Sequence, residues 1–378
     1  MKLFHKIIIS IVVVLTIAWG IVYYMLGVDY GFIKGFVKNW LNPSTKEVQI
    51  TPTETTKKFT GFGKITFVSG LNKPTSLAFD DNGHLFVSEL GGSIWRYKKA
   101  QNSKAGKKTL FASGFNQILG ILAYQDKLYV SSRGMISYLV DKNDDGVADS
   151  RKDIVTNLPV GRHQNDGMAI KDGKIYWGEG SRSDRGEGGI VEKEASVLRA
   201  NLDGSNLEVF ATGLRNTYDL AFHPETEELF GPDNGQDVPS SGVPDELNVI
   251  QKGKDYGWPG CWGIGNGSDC AGTVYPIAEL EEHSSADGIA FYTGNQFPAS
   301  YKNNIFIALW GSNSGDPDIG RKVIRVQLSG KGPNYKTKVT TFAKFNHSLD
   351  VVVGPDGALY VADYGAGNIT RIVAKYRK

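Results

Sequence analysis

Between residues 161 and 167 the chain reads GRHQNDG: a guanidinium, an imidazole, two amides and a carboxylate directly ahead of an apolar run. A neutral histidine at the mouth of a site accepts a proton near pH 7, and such a base contributes about 10²–10⁴-fold to a rate. A second cluster, GLRN at 213–216, supplies a permanent cation in Arg215 with an amide in Asn216 beside it. That pair suits a carboxylate or a developing oxyanion. No nucleophile elbow, His-Glu-x-x-His, Walker loop or dinucleotide fingerprint accompanies them. A base and a cation without a nucleophile point to oxidation or binding through a bound cofactor rather than to covalent hydrolysis. A third motif, VDKNDDGVADS, sets Asp141, Asn143, Asp145 and Asp149 at alternating positions around a glycine turn, as in an EF-hand-type Ca²⁺ loop. Its twelfth position is Lys152 instead of the bidentate Glu, and a solvated acidic turn is the alternative.

The elements that must hold these groups repeat. With 46 Gly, 17 Tyr and 18 Phe, the composition favours an all-β protein with many tight turns. One pattern recurs six times: an apolar strand, a turn, a strand of the type small-apolar-Ala-apolar, another turn and a third strand. The copies align on Ala78, Ala123, Ala169, Ala221, Ala290 and Val352, and a fourth strand follows most of them. Radially repeated four-stranded antiparallel units make a β-propeller, here six-bladed; an array of β-sandwiches is the alternative. The segment KITFV (64–68) is expected to complete the last blade and close the ring. Six residues before each anchor stand Asn72, Gln117, His163, Arg215, Ser284 and Asn346, all polar. In a propeller these turns precede the innermost strands, so the six positions are expected to converge near one end of the axis. His163 and Arg215, in adjacent blades, would then share one concave site.

The N-terminus differs. Ile7–Val28 is a charge-free stretch of 22 residues, thirteen of them Ile, Val or Leu. At roughly −0.3 to −0.6 kcal/mol each near the bilayer centre, these favour insertion of an uncleaved anchor. A cleaved signal peptide is the rival, without a convincing cleavage site. Residues 1–28 therefore read as a transmembrane anchor, 29–58 as a polar stalk and 59–378 as the propeller. Lys2 and Lys6 place the propeller outside. Cys261 and Cys270 in a Gly-rich loop suit a local disulfide in such a compartment, with two free thiols as the alternative. A formal net charge of +2 gives no electrostatic case for nucleic acid.

Residues 213–263, with Arg215-Asn216, Asp245-Glu246-Leu247-Asn248 and Tyr256-Gly257-Trp258-Pro259, resemble the signature of the glucose/sorbosone dehydrogenase family. HQNDGMAI and GIAFYTGNQFPASYKNNIFIAL resemble two further family blocks. The resemblance implies a six-bladed extracytoplasmic propeller that oxidises an aldose with pyrroloquinoline quinone (PQQ) and Ca²⁺, passing electrons to a separate acceptor. It implies His163 as the base, Arg215 polarising the quinone carbonyl, and Asn216 fixing the cofactor. Gln117, Gln164, Asn234 and Asp363 complete the implied cofactor set, and Gly235 and Gln236 stand where backbone carbonyls bind Ca²⁺. The chain also departs from the aldose-oxidising branch. Trp310 stands in place of a lysine, and Asn346-His347-Ser348-Leu349-Asp350 where two arginines are expected. Three cations toward the PQQ carboxylates are thereby lost, each charge-assisted bond worth roughly 1.5–3 kcal/mol; His347, Arg321 and Lys322 are the candidates to compensate. The sorbosone-type block is matched only by Gly311-Ser312. Two other readings remain: a ligand-binding propeller that has lost the cofactor, and a Ca²⁺-dependent lactonase. The lactonase would need carboxylates on the axis, and the six register positions contain none.

Overall fold

The computed structural model describes residues 58–99, 104–239, 241–312, 316 and 318–377. The expected anchor (1–28) and all but the last residue of the expected stalk lie outside the described residues. Among the described residues no helix is long and apolar enough to cross a membrane.

Six four-stranded antiparallel sheets occur among the described residues, five of them formed in chain order from the axis outward and the sixth completed by the N-terminal strand. Blade 1 comprises Pro74–Phe79, Leu85–Glu89, Ile94–Tyr97 and Lys108–Ala112; blade 2, Ile118–Tyr124, Lys127–Ser132, Met135–Val140 and Ser150–Val155. Blade 3 comprises Asn165–Lys171, Lys174–Glu179, Ser196–Asn201 and Glu208–Thr212; blade 4, Ala221–Phe222, Leu229–Asp233, Pro244–Ile250 and Ala278–Glu282. Blade 5 comprises Ala286–Phe291, Ile305–Leu309, Lys322–Ser329 and Lys336–Lys344. Blade 6 takes Ser348–Val353, Leu359–Asp363 and Asn368–Arg377, and its outer strand is Lys58–Ser69. The expected closure by the N-terminal strand is thus observed, from Lys58↔Arg377 to Ser69↔Asn368.

Period-2 alternation explains the ring. In blade 1, Leu85 and Val87 point to the core shared with blade 6, while Phe86 points to the core shared with blade 2. The same division gives six apolar cores, one between each pair of neighbouring blades. Each fully buried Val, Leu, Ile or Phe contributes roughly 1.5–3 kcal/mol relative to exposure.

At the axis, side chains join one inner strand to the next. Leu77 N–H donates to Asp350 Oδ2 (2.7 Å), Ile121 N–H to Ser76 Oγ (3.2 Å) and Ile289 N–H to Asp219 Oδ2 (3.2 Å). Gly167 N–H donates to Tyr218 O (2.7 Å), an approach open only to glycine, since a Cβ there would lie 2.1 Å from Asp219 Oδ1. The Cys261–Cys270 disulfide closes the loop of a small hairpin in the blade 4 insertion.

Candidate functional site

His163 is carried on the turn that enters blade 3. Its N–H donates to Ser181 O (3.0 Å), and Arg162 N–H donates to Arg182 O (2.9 Å), so the turn is zipped to the following loop. Gly180 lets His163 and Asn216 approach: a Cβ there would lie 2.5 Å from His163 Cβ and 2.5 Å from Asn216 Oδ1. Arg215 is set by Asp233, whose carboxylate accepts from Arg215 N–H (3.0 Å), Asn216 N–H (2.9 Å) and the Thr217 hydroxyl (2.9 Å). The buried guanidinium is clamped by Asp184 Oδ1 (2.8 Å), Asp184 O (3.2 Å) and Asn234 O (3.1 Å).

These two groups line one recess of about 420 Å³, together with Arg162, Asn216, Asn234, Gly235, His283, Ser285 and Trp310. Trp310 forms wall rather than plug, and Leu349 is buried elsewhere. Burial holds the His163 imidazole well below its ordinary pKa, aided by the positive charges of Arg215 and Arg162. It is therefore neutral near pH 7, free to accept a proton but weak as a base. His163 Nε2, His283 Nε2, Asn216 Oδ1 and Asn234 Oδ1 are buried without hydrogen-bond partners. Such groups are rare in folded proteins and mark where a polar ligand or water belongs.

The expected convergence of six register positions is only partial. Gln117 and His163 line a second, smaller cavity, and His163 and Arg215 line the first. Ser284 is consumed by Asp245 Oδ2 (2.9 Å), and Asn72 and Asn346 open onto separate recesses. Gln164 is buried between Arg133 (3.2 Å) and Gln117 O (2.9 Å). Asp363 stays away from the recess; its carboxylate accepts from Asn346, His347 and Ala366 N–H (3.0, 2.9 and 3.1 Å) and shapes the blade 6 turn. Gly235 lines the recess with its N–H on Asp245 (3.0 Å), while Gln236 is buried with Oε1 unpartnered.

The remaining cations also fall differently from expectation. Lys322 pairs with Glu281 (2.9 Å), and with Arg321 it lines a different recess, because both sit beyond the bend at Gly320. His347 stands behind Trp310, its ring tilted against the indole at 4.2 Å between centroids and its Nδ1 donating to Trp310 O (2.9 Å), and the Arg321 side chain lies against Gly311 of the recess.

The Ca²⁺ loop already contains a cation. Arg96 bonds Asp141 (3.2 Å) and Asp144. Asn143, Asp145 and Asp149 spend oxygens on the backbone N–H of Asp145 (3.0 Å), Val147 (2.8 Å) and Lys142 (2.6 Å). Among the described residues no group of three or more His, Cys, Asp or Glu is placed to hold a metal ion.

Acids missed by the register stand three or four residues farther in: Asp166, Asp287 and Asp350, all buried, and Asp219, half-buried. The signal was present as a carboxylate inside the inner strand in three copies and just ahead of it, at Asp219, in a fourth. Asp184, which holds Arg215, gave no such signal because its loop lies outside the repeat. These acids supply the carboxylates a lactonase would need, but not in metal-binding geometry.

The profile of the family described as Glucose / Sorbosone dehydrogenase matches residues 71–371. The chain belongs to the glucose/sorbosone dehydrogenase family. An uncharacterized protein of Borreliella burgdorferi is 30% identical over 85% of this chain and 91% of its own. The aldose sugar dehydrogenase YliI of Escherichia coli is 24% identical over 80% and 90%. Among solved structures, the PQQ-bound aldose sugar dehydrogenase of Streptomyces coelicolor superposes with a TM-score of 0.65 at 23% identity, covering 83% of this chain and 98% of that one. That likeness establishes the shared propeller; family membership rests on the profile.

Proposed function

We propose that this protein oxidises a sugar hydroxyl at the His163–Arg215 recess, with PQQ as the bound oxidant. The observation that carries the reading is the shared recess, where an imidazole held neutral faces the same space as a buried guanidinium. The residues suit PQQ at its reactive edge: the amides of Asn216 and Asn234 face the space with Oδ1 of each unpartnered, and the guanidinium groups of Arg215 and Arg162, paired with Asp184 and Asp237, lie beside it. Trp310, with His347 tilted against it, gives the recess an aromatic face where the family branch carries a cation. PQQ, when bound, supplies a quinone that accepts a hydride from the sugar carbon. His163 takes the hydroxyl proton. Arg215, fixed by Asp184, stabilises negative charge that develops on oxygen. Asn216 and Asn234 orient the bound groups, and Gly235 and Gln236 would hold a Ca²⁺ through their backbone carbonyls.

The apolar run Ile7–Val28 supports a membrane anchor with the propeller on the outer side. Electrons then leave to a separate acceptor, since the chain carries no haem-attachment motif. Purified protein given PQQ and Ca²⁺ is expected to show a quinone absorbance shift and to reduce a dye with an aldose. No PQQ binding at micromolar concentration would turn the assignment to a ligand-binding propeller. His163→Ala is expected to abolish turnover while sparing PQQ affinity. Membrane fractionation of the full chain, with protease access to the propeller from outside, tests the anchor.

A further inference from the structure

His163 and Asn216 also border a second cavity, of about 230 Å³, shared with Asp166, Tyr218, Gln164 and Arg133. Four side-chain atoms of these lining residues have no hydrogen-bond partner: His163 Nε2, Asp166 Oδ2, Asn216 Oδ1 and Tyr218 Oη. Asp166 is 1%, Asn216 6% and Tyr218 8% exposed, so bulk water does not satisfy them. Each such orphan costs roughly 1–3 kcal/mol unless a local partner is supplied. A water needs about 10–15 Å³ of such space and two to four polar partners, so the cavity has room for a chain of several. The other axial acids are committed to the scaffold. Asp350 and Asp219 hold Leu77 and Ile289 N–H across blade seams, and Asp287 accepts from Asn234 (3.3 Å) and Ser285 (3.2 Å). Asp166 Oδ2 is committed to nothing.

We infer that this cavity is a hydrated proton antechamber, in which Asp166 receives through ordered water the proton that His163 takes from the substrate hydroxyl. The inference rests on the dehydrogenase reading above. The balance closes: the substrate C–H bond breaks with its electron pair leaving as hydride to the quinone, the O–H bond breaks with its proton on His163, and C=O forms. The imidazolium then returns to the neutral base as a proton passes along the water chain to the Asp166 carboxylate, which later releases it to solvent. Asp166 touches neither substrate nor cofactor and acts through His163.

The proton affinities run in the required direction. Burial and the charges of Arg215 and Arg162 hold the imidazole well below its ordinary value. Burial holds the Asp166 carboxyl well above its own, with Glu179, Asp287, Asp219 and Asp233 adding negative potential. Transfer from His163 to ionised Asp166 is downhill, and turnover should follow the fraction of Asp166 that is ionised, rising with pH.

Two measurements test this. In sugar-free, PQQ-free protein with isotopically labelled histidine, the His163 resonances should show a second inflection on pH titration that is absent in Asp166→Asn. In PQQ-loaded protein, Asp166→Asn should lower kcat at least tenfold with KM within twofold, flatten the rising pH limb, and be partly rescued by formate. Should Asp166→Asn not fold, Tyr218→Phe tests the same water chain, with a several-fold lower kcat at unchanged KM. Wild-type rate and pH profile in a folded Asp166→Asn, or in Tyr218→Phe, overturns the relay alone. A missing second inflection in the wild type does the same. A loaded wild type that oxidises no sugar overturns the dehydrogenase reading and the relay with it.

Discussion

Glu179 ends the second strand of blade 3, opposite Asn165 in the strand His163 leads into. It is fully buried; Oε2 accepts from Trp177 Nε1–H (3.2 Å), and Oε1 has no partner. Burial pushes its carboxyl from the ordinary 4.5 up to about 8, with the Trp177 bond opposing the rise and Glu194 adding to it. A group whose folded pKa is raised stabilises the fold at low pH and loses that contribution as pH climbs through the folded value. With pKa values of 4.5 unfolded and about 8 folded, the contribution is about 4 kcal/mol at pH 4.5 and between 1 and 2 kcal/mol at pH 7, a loss of about 3 kcal/mol. Glu179→Gln keeps the acceptor for Trp177 and has no proton to lose. The variant should therefore gain on the wild type by about 3 kcal/mol between pH 4.5 and pH 7. Urea unfolding at the two pH values, compared at equal m, reads this directly. A stability difference between variant and wild type that is the same at both pH values refutes the reasoning.

Asp184→Ala strands the buried Arg215 guanidinium and should cost about 3–5 kcal/mol, seen as a lower urea midpoint. Replacing Cys261 and Cys270 with alanine opens a short loop and should cost about 2–3 kcal/mol; an unchanged midpoint would mean the bridge does not constrain the unfolded chain. Chelation of cofactor-free protein should leave its unfolding midpoint unmoved, since Arg96 already meets the charge demand of the Asp141 loop. A drop on adding EDTA that Asp145→Asn abolishes would contradict that assignment.

The propeller was legible because its repeat is written in a local code: an apolar inner strand and a turn six times over, with alanine at the anchor in five copies and Val352 in the sixth. Closure by residues 64–68 followed from counting strands. The site was legible at His163 and Arg215, whose residue types stand out against the register, and less so at their supports. Asp184 lies in a loop of no fixed spacing, and only the fold brings it to Arg215. The axial acids fell between two alignments, because bulges at Asn165/Met168, Ala286/Ile289 and Ser348/Asp350 displace them from a strict count. The Asp141 loop matched a metal template because Arg96, 45 residues earlier in the chain, does not appear in a local motif.

Lys58 and Arg377 are ladder partners on the outermost pair of strands in blade 6. The first and last described segments therefore leave the wheel side by side at its rim, and the seam is a matter of where the chain was cut rather than of geometry. Joining these neighbours by a few flexible residues and opening a surface turn between any other two outer strands should yield a permuted ring with the same recess. In the natural order, blade 6 cannot be completed until both Lys58–Ser69 and Asn368–Arg377 have been made. A ribosome that stalls before residue 368 releases a wheel whose final spoke lacks its third strand and whose outer strand, Lys58–Ser69, has no ladder to join.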